Sequence, residues 1–150
     1  MAEYKYIPCD IYKRGVSLFV GSYDEMLSWA KKTYTEPEYN DFLTSMEESA
    51  PGGAADTHYD LGSCVVRVGK KPESEAEIAV LGHELLHAAF YIMDYCGLRY
   101  EMYHPNEHFT YLFEWLLRCA LEDGQYEKVS DMEDQPDTSD NQPQEETISS

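Results

Sequence analysis

The stretch IAVLGHELLHAAF, Ile78–Phe90, decides how the chain is read. It carries His83, Glu84 and His87 in the pattern HExxH. Positions i and i+4 of an α-helix stand one above the other on the same face. Two imidazoles at that spacing can bind one metal ion, and Zn²⁺ is the usual occupant. Glu84 sits at the rim of that face, where its carboxylate can take a proton from a metal-activated water. The flanking Leu85, Leu86, Ala88, Ala89 and Phe90 predict a buried helix with the polar trio aimed into a cleft. A buried glutamate between two buried histidines would be costly without a metal to compensate it.

Working outward, Ser74 and Glu77 form a capping box that launches this helix. It is expected to run to about Tyr95, with Gly97 as its C-cap. Gly82 is expected to allow close packing of another element. Upstream, Thr57 to Val68 reads as a β-ribbon, with a turn or bulge at Gly62-Ser63 and a firm strand at Cys64–Val68. Gly69 to Pro72 is a turn. Downstream, Leu98 to His104 is a connector, and Pro105 suits the first position of a further helix. Phe109, Leu112, Phe113, Leu116, Leu117 and Ala120 give that helix its apolar face, and Gly124 closes it.

The first third of the chain has weaker signals. Residues 1–9 read as a loose lead-in. Ile11 to Val20 reads as a strand bent at Gly15. Ser22 with Glu25 forms a second capping box, opening a helix that buries Met26, Leu27, Trp29 and Ala30 and ends near Tyr34. Glu38 to Glu48 reads as a weaker helix with Phe42, Leu43 and Met46 inward, before a loop at Pro51-Gly52-Gly53. Strands and helices in this order predict an α+β fold: a small antiparallel or mixed sheet on the HExxH helix and the helix after it.

A chain of 150 residues suits one domain. The net charge of −18 argues against nucleic acid or an anionic membrane as partner. Residues 127–150 hold eight acids against the single Lys128 and no aromatics, which predicts a disordered acidic tail behind a domain of residues 1–126. No stretch reaches the roughly 20 apolar residues of a membrane span. The N-terminus lacks a basic segment followed by an apolar one, so a cytoplasmic location is expected. Cys9, Cys64, Cys96 and Cys119 show no CxxC pairing and read as free thiols packed as small hydrophobes.

A catalytic zinc usually takes three protein ligands and keeps one position for water. Downstream candidates are Glu101, His104, Glu107, His108 and Glu114. A third histidine six residues after the second, as in metzincins, is excluded by Met93. Glu107 is the best choice, opening the next helix in the dipeptide Asn106-Glu107 with nineteen residues between it and His87. His104 or His108 would instead give an all-histidine site.

HExxH followed by Asn-Glu at this distance resembles the gluzincins, the thermolysin-type zinc metallopeptidases. The likeness covers Thr57 to Leu121 at most. It implies a minimal zincin-like domain with His83, His87 and Glu107 as ligands and Glu84 as catalytic base, in a short single-domain form encoded by bacteria or their phages. Two departures stand out. The family places an aspartate four residues after the glutamate ligand, where this chain has Tyr111. Asp94, Glu114 or a backbone carbonyl would then have to orient the histidines. The family's helical second domain, with its transition-state histidine, is also absent. His104, His108, Tyr100, Tyr103, His58 and Tyr59 are the available substitutes.

The expected function is therefore a zinc-dependent peptidase acting on a peptide or protein substrate. The substrate strand would add to Cys64–Val68 by β-augmentation, and an acidic surface would favour basic or neutral peptides. The rival is a catalytically weak, zinc-stabilised binding or regulatory protein whose metal serves folding. Hydrolysis of a non-peptide amide would use the same residues.

Overall fold

The computed structural model describes residues 2–48, 54–59 and 64–129. The loop at Pro51-Gly52-Gly53, the turn at Gly62-Ser63, the Met46 side chain and the tail from residue 130 onward lie outside the described residues.

The sheet begins earlier than the sequence suggests. Strand β1, Glu3–Cys9, pairs antiparallel with β2, Arg14–Val20, around a 3-10 turn at Asp10–Tyr12. Residues 1–9 are thus no loose lead-in, and Ile11 lies in the turn, exposed. The misleading residue is Lys5. It occupies an inward position of β1 and is buried, which a lysine tolerates only with partners.

The ribbon of β3, Ala55–Tyr59, and β4, Cys64–Val68, is antiparallel as expected. β4 then pairs parallel with β2, from Val16↔Cys64 to Val20↔Val68. Two residues assigned to the acidic tail, Glu127–Lys128, form a short strand β5 on the far side of β1. The Glu127 carboxylate accepts from the Tyr4 hydroxyl, and the Val129 amide donates to the Ala2 carbonyl. The sheet order is β3-β4-β2-β1-β5.

Helices cover both faces. On one lie α1, Tyr23–Thr33, and α2, Glu36–Glu48. Here Trp29 is in ring contact with Tyr4, Phe19 and Tyr34, and Phe42 and Val65 complete the cluster. On the other lie α3, Glu75–Tyr95, and α4, Glu107–Leu121. Leu81, Leu85, Ala88, Ala89 and Ile92 of α3 meet Val16, Leu18, Val66 and Val68 of the sheet there, with Leu112 and Leu116 of α4. The molecule is an α+β fold built on a five-stranded mixed sheet. The strand alternation that serves both layers follows from successive side chains pointing to opposite faces.

Local signals set the helix ends. In both capping boxes, Ser22 with Glu25 and Ser74 with Glu77, each side chain receives the other residue's backbone N–H. Lys70, then the backbone N–H groups of Glu73 and Ser74, hold the Glu77 carboxyl down to about 2. At the far end of α3 Gly97 is left-handed, at φ 73°. Its amide reaches the Asp94 carbonyl and that of Leu98 reaches Met93, which makes a Schellman closure. Lys5 explains its burial at the end of α4, where its ammonium donates to the Cys119 and Glu122 carbonyls.

Two local expectations change. Pro105 lies outside α4, which starts at Glu107 behind the N-cap Asn106. Gly82 faces Phe113 of α4, but a Cβ there would come no nearer than 3.9 Å, so packing does not demand glycine. Cys9, Cys64 and Cys119 are buried and Cys96 is exposed. Burial pushes the Cys9 thiol up to about 12.

Candidate metal centre

Because α3 turns its leucine and alanine stripe to the sheet, His83 and His87 fall on the opposite, exposed side. The helix is not buried all round. Leu86 and Phe90, expected in the core, are 43% and 46% exposed. The two histidines therefore line an open face rather than a deep cleft. Their Nε2 atoms approach to 3.1 Å, and the rings meet edge to face with centroids 4.7 Å apart. A single zinc ion with Zn–N bonds of about 2.0–2.1 Å can span such a separation.

Glu84 behaves differently. It points along the flank of α3 toward β3 and is only 9% exposed. The Thr57 hydroxyl lies 2.5 Å from its Oε2 and 3.1 Å from its backbone carbonyl. Two residues further along β3, Tyr59 stacks on Tyr91 of α3, with ring centroids 4.4 Å apart. Thr57 and Tyr59 thus seat β3 along the flank of the helix that carries Glu84. The period of two that puts both on one face is visible in the sequence; their partners on α3 are not.

Asn106 determines where α4 starts. It is buried at φ 51°, in the left-handed region that asparagine tolerates better than most residues. Its Oδ1 accepts from the Glu101 amide at 2.8 Å, and its Nδ2 donates to the Glu101 and His104 carbonyls at 2.8 and 2.7 Å. The connector is thereby folded onto the head of α4. Phe109 then touches Phe90, three residues beyond His87, at a ring separation of 5.0 Å. The N-terminus of α4 is in this way held beside the turn bearing the second histidine.

Glu107 is exposed at that N-terminus, and its Oε2 accepts from the Thr110 hydroxyl at 3.3 Å. A carboxylate in a first helical turn is favourable on its own account. Among the described residues no three His, Cys, Asp or Glu side chains are gathered so as to hold a metal ion. The structure brings His83 and His87 together and leaves Glu107 out of the group. Of the rivals, His104 stands exposed with Nε2 3.9 Å from the Glu101 carboxylate. His108 rests against Phe109, its buried Nε2 without a hydrogen-bond partner among the described residues.

Neither side chain proposed to orient the histidines reaches them. Asp94 is exposed in the last turn of α3, and Glu114 pairs with Arg118 at 3.6 Å. His58 is excluded from the site by its place on β3. It lies on the reverse face of the sheet, buried against Phe42 and Tyr23, with Nε2 2.6 Å from Asp56. Tyr59 is on the correct side, half-exposed. Cys64–Val68 cannot be the peptide-binding edge: β4 is buried between β3 and β2, and among the described residues the edges of the sheet are β3 and β5.

No helix among the described residues is long and apolar enough to cross a membrane. Compared with known proteins, the chain matches no family model, no curated protein and no solved structure.

Proposed function

We propose that the protein is a zinc-dependent peptidase of minimal zincin-like architecture, with His83, His87 and Glu107 as metal ligands and Glu84 as general base. The observation that carries this reading is the approach of the two histidine Nε2 atoms to 3.1 Å beside a buried carboxylate. Glu107 joins them by a change of rotamer. Its carboxylate is exposed and tethered by one long bond to Thr110, so little opposes the swing. The Phe90–Phe109 contact keeps its backbone at the correct end of the site.

Bound zinc supplies an acidified water and a Lewis acid for the scissile carbonyl. The chain's own residues do the rest. Glu84 accepts the proton of the attacking water and returns it to the leaving amine. The free edge of β3 offers backbone N–H and C=O groups to an extended peptide lying antiparallel to it. Tyr59, half-exposed on the α3 side of that strand, is the candidate transition-state donor.

The test is zinc titration by calorimetry together with a Glu84→Gln variant assayed on a peptide library. The variant is expected to bind zinc like the parent and to lose cleavage. Equal proteolysis by both proteins, or no zinc uptake by the parent, overturns the assignment. That no third ligand is gathered with the two histidines among the described residues favours a second reading, a metal-binding protein without hydrolysis. Zinc uptake with no cleavage of any library peptide would select it.

A further inference from the structure

We infer that Thr57 is the positioning residue of the general base, fixing the Glu84 carboxylate through its hydroxyl; the inference rests on the peptidase reading above. Thr57 and Glu84 are 27 residues apart and each only 9% exposed. A buried carboxylate needs a donor to offset the loss of water. The Thr57 Oγ1 proton has two acceptors in reach, the Glu84 carbonyl at 3.1 Å and Oε2 at 2.5 Å. In the middle of α3 that carbonyl already accepts the helical N–H one turn on. A carboxyl oxygen with no other donor in reach among the described residues is the better-placed acceptor, at the shorter distance. The proton therefore goes to Oε2, which leaves Oε1 with both its lone pairs to receive a proton.

The contact also ties two parts of the site together. Thr57 belongs to β3, the edge to which a peptide would add. One hydroxyl sets the base relative to the strand that would register the substrate, so its loss is expected to lower turnover rather than affinity. Both Thr57 hydroxyl contacts go to Glu84 and neither to a histidine, so the metal side should be untouched.

The first readout needs no activity. In metal-free protein the Thr57 hydroxyl proton is expected as a slowly exchanging, downfield NMR resonance. It should disappear in Thr57→Val and shift back to an ordinary position in Glu84→Ala. A Thr57 hydroxyl that exchanges freely with solvent overturns the inference. The second readout uses zinc-loaded protein. Thr57→Val should keep zinc uptake, hold KM within about twofold and lose at least tenfold in kcat, with Thr57→Ser restoring most of it. Thr57→Ala carries the same comparison if valine disturbs folding. Unchanged kcat in the hydroxyl-free variants overturns the positioning role even where Glu84→Gln is inactive. A parent that cleaves nothing removes the peptidase reading instead, and the hydroxyl resonance still decides whether Thr57 holds the carboxylate.

Discussion

The Nε2 atoms of His83 and His87 stand 3.1 Å apart across one turn of α3, on the side of the helix that the core does not use. Two neutral imidazoles so placed share a single hydrogen bond at most, whereas a cation satisfies both. His83→Ala or His87→Ala should therefore weaken zinc binding by more than about 100-fold, above the usual effect of losing an outer partner. The metal-free variants should melt within about 2 °C of the parent, because exposed side chains away from special features contribute little. Zinc at a hundredfold excess over its dissociation constant should add about 2.7 kcal/mol to the parent. That corresponds to about 5–10 °C in a domain of this size. Calorimetry with and without a chelator measures both effects. Unfolding of the parent on chelation would show that the metal holds the fold, contrary to a core that closes without either ring.

Glu107 decides whether the site is completed by a carboxylate. Glu107→Ala should lower zinc affinity by at least about 100-fold, which is about 2.7 kcal/mol. His104→Ala and His108→Ala should stay within about threefold of the parent. The opposite ranking, with His108→Ala the damaging change, would assign the third position to the imidazole whose buried Nε2 lacks a partner among the described residues.

Asn106 links the connector's shape to the ligand beside it. Asn106→Ala removes three side-chain hydrogen bonds and leaves an alanine at φ 51°. The expected loss is about 2–4 kcal/mol. Asn106→Gly relieves the backbone but not the hydrogen bonds, so it should recover about 1 kcal/mol of that. Urea denaturation of the two variants gives the comparison. Zinc affinity should fall in both, since the start of α4 is no longer fixed. A glycine variant as stable as the parent would mean that the side-chain bonds contribute nothing.

What could be read without coordinates was local. The capping boxes, the end of α3 and the i, i+4 histidines are each fixed by residues within one or two turns. The β3–β4 ribbon is likewise short-range. Strand placement, by contrast, depends on distant partners. β1 carries an inward Lys5 whose partners, two carbonyls 114 and 117 residues away and the Tyr126 ring, no local pattern reveals. β4, the most apolar strand, lies inside the sheet because it pairs parallel with β2, a partner more than forty residues away in the chain. Thr57 carried no motif, since its partner is set by how β3 lies on α3. Leu86 and Phe90, apolar by composition, stay exposed because the helix buries only one side of itself there.

On the reverse face of the sheet, Arg67 grips both oxygens of Asp56 through Nε at 3.1 and 3.0 Å, while His58 contacts the same carboxylate. Burial pushes the Asp56 carboxyl upward, but the hydrogen bonds and charges of His58 and Arg67 outweigh it and hold it below its ordinary value. A carboxyl lowered in the folded state stabilises the fold fully above its unfolded value, about 3.9. That contribution is lost as pH falls through the lower folded value. Stability measured by urea denaturation should thus decline below about pH 4 in the parent. Asp56→Asn removes the charge that faces the buried Arg67 guanidinium and should lose about 3–5 kcal/mol at neutral pH. It should also show a shallower decline in acid, having no carboxyl at that position to protonate. A variant that keeps the parent's acid slope would place the responsible carboxylates elsewhere.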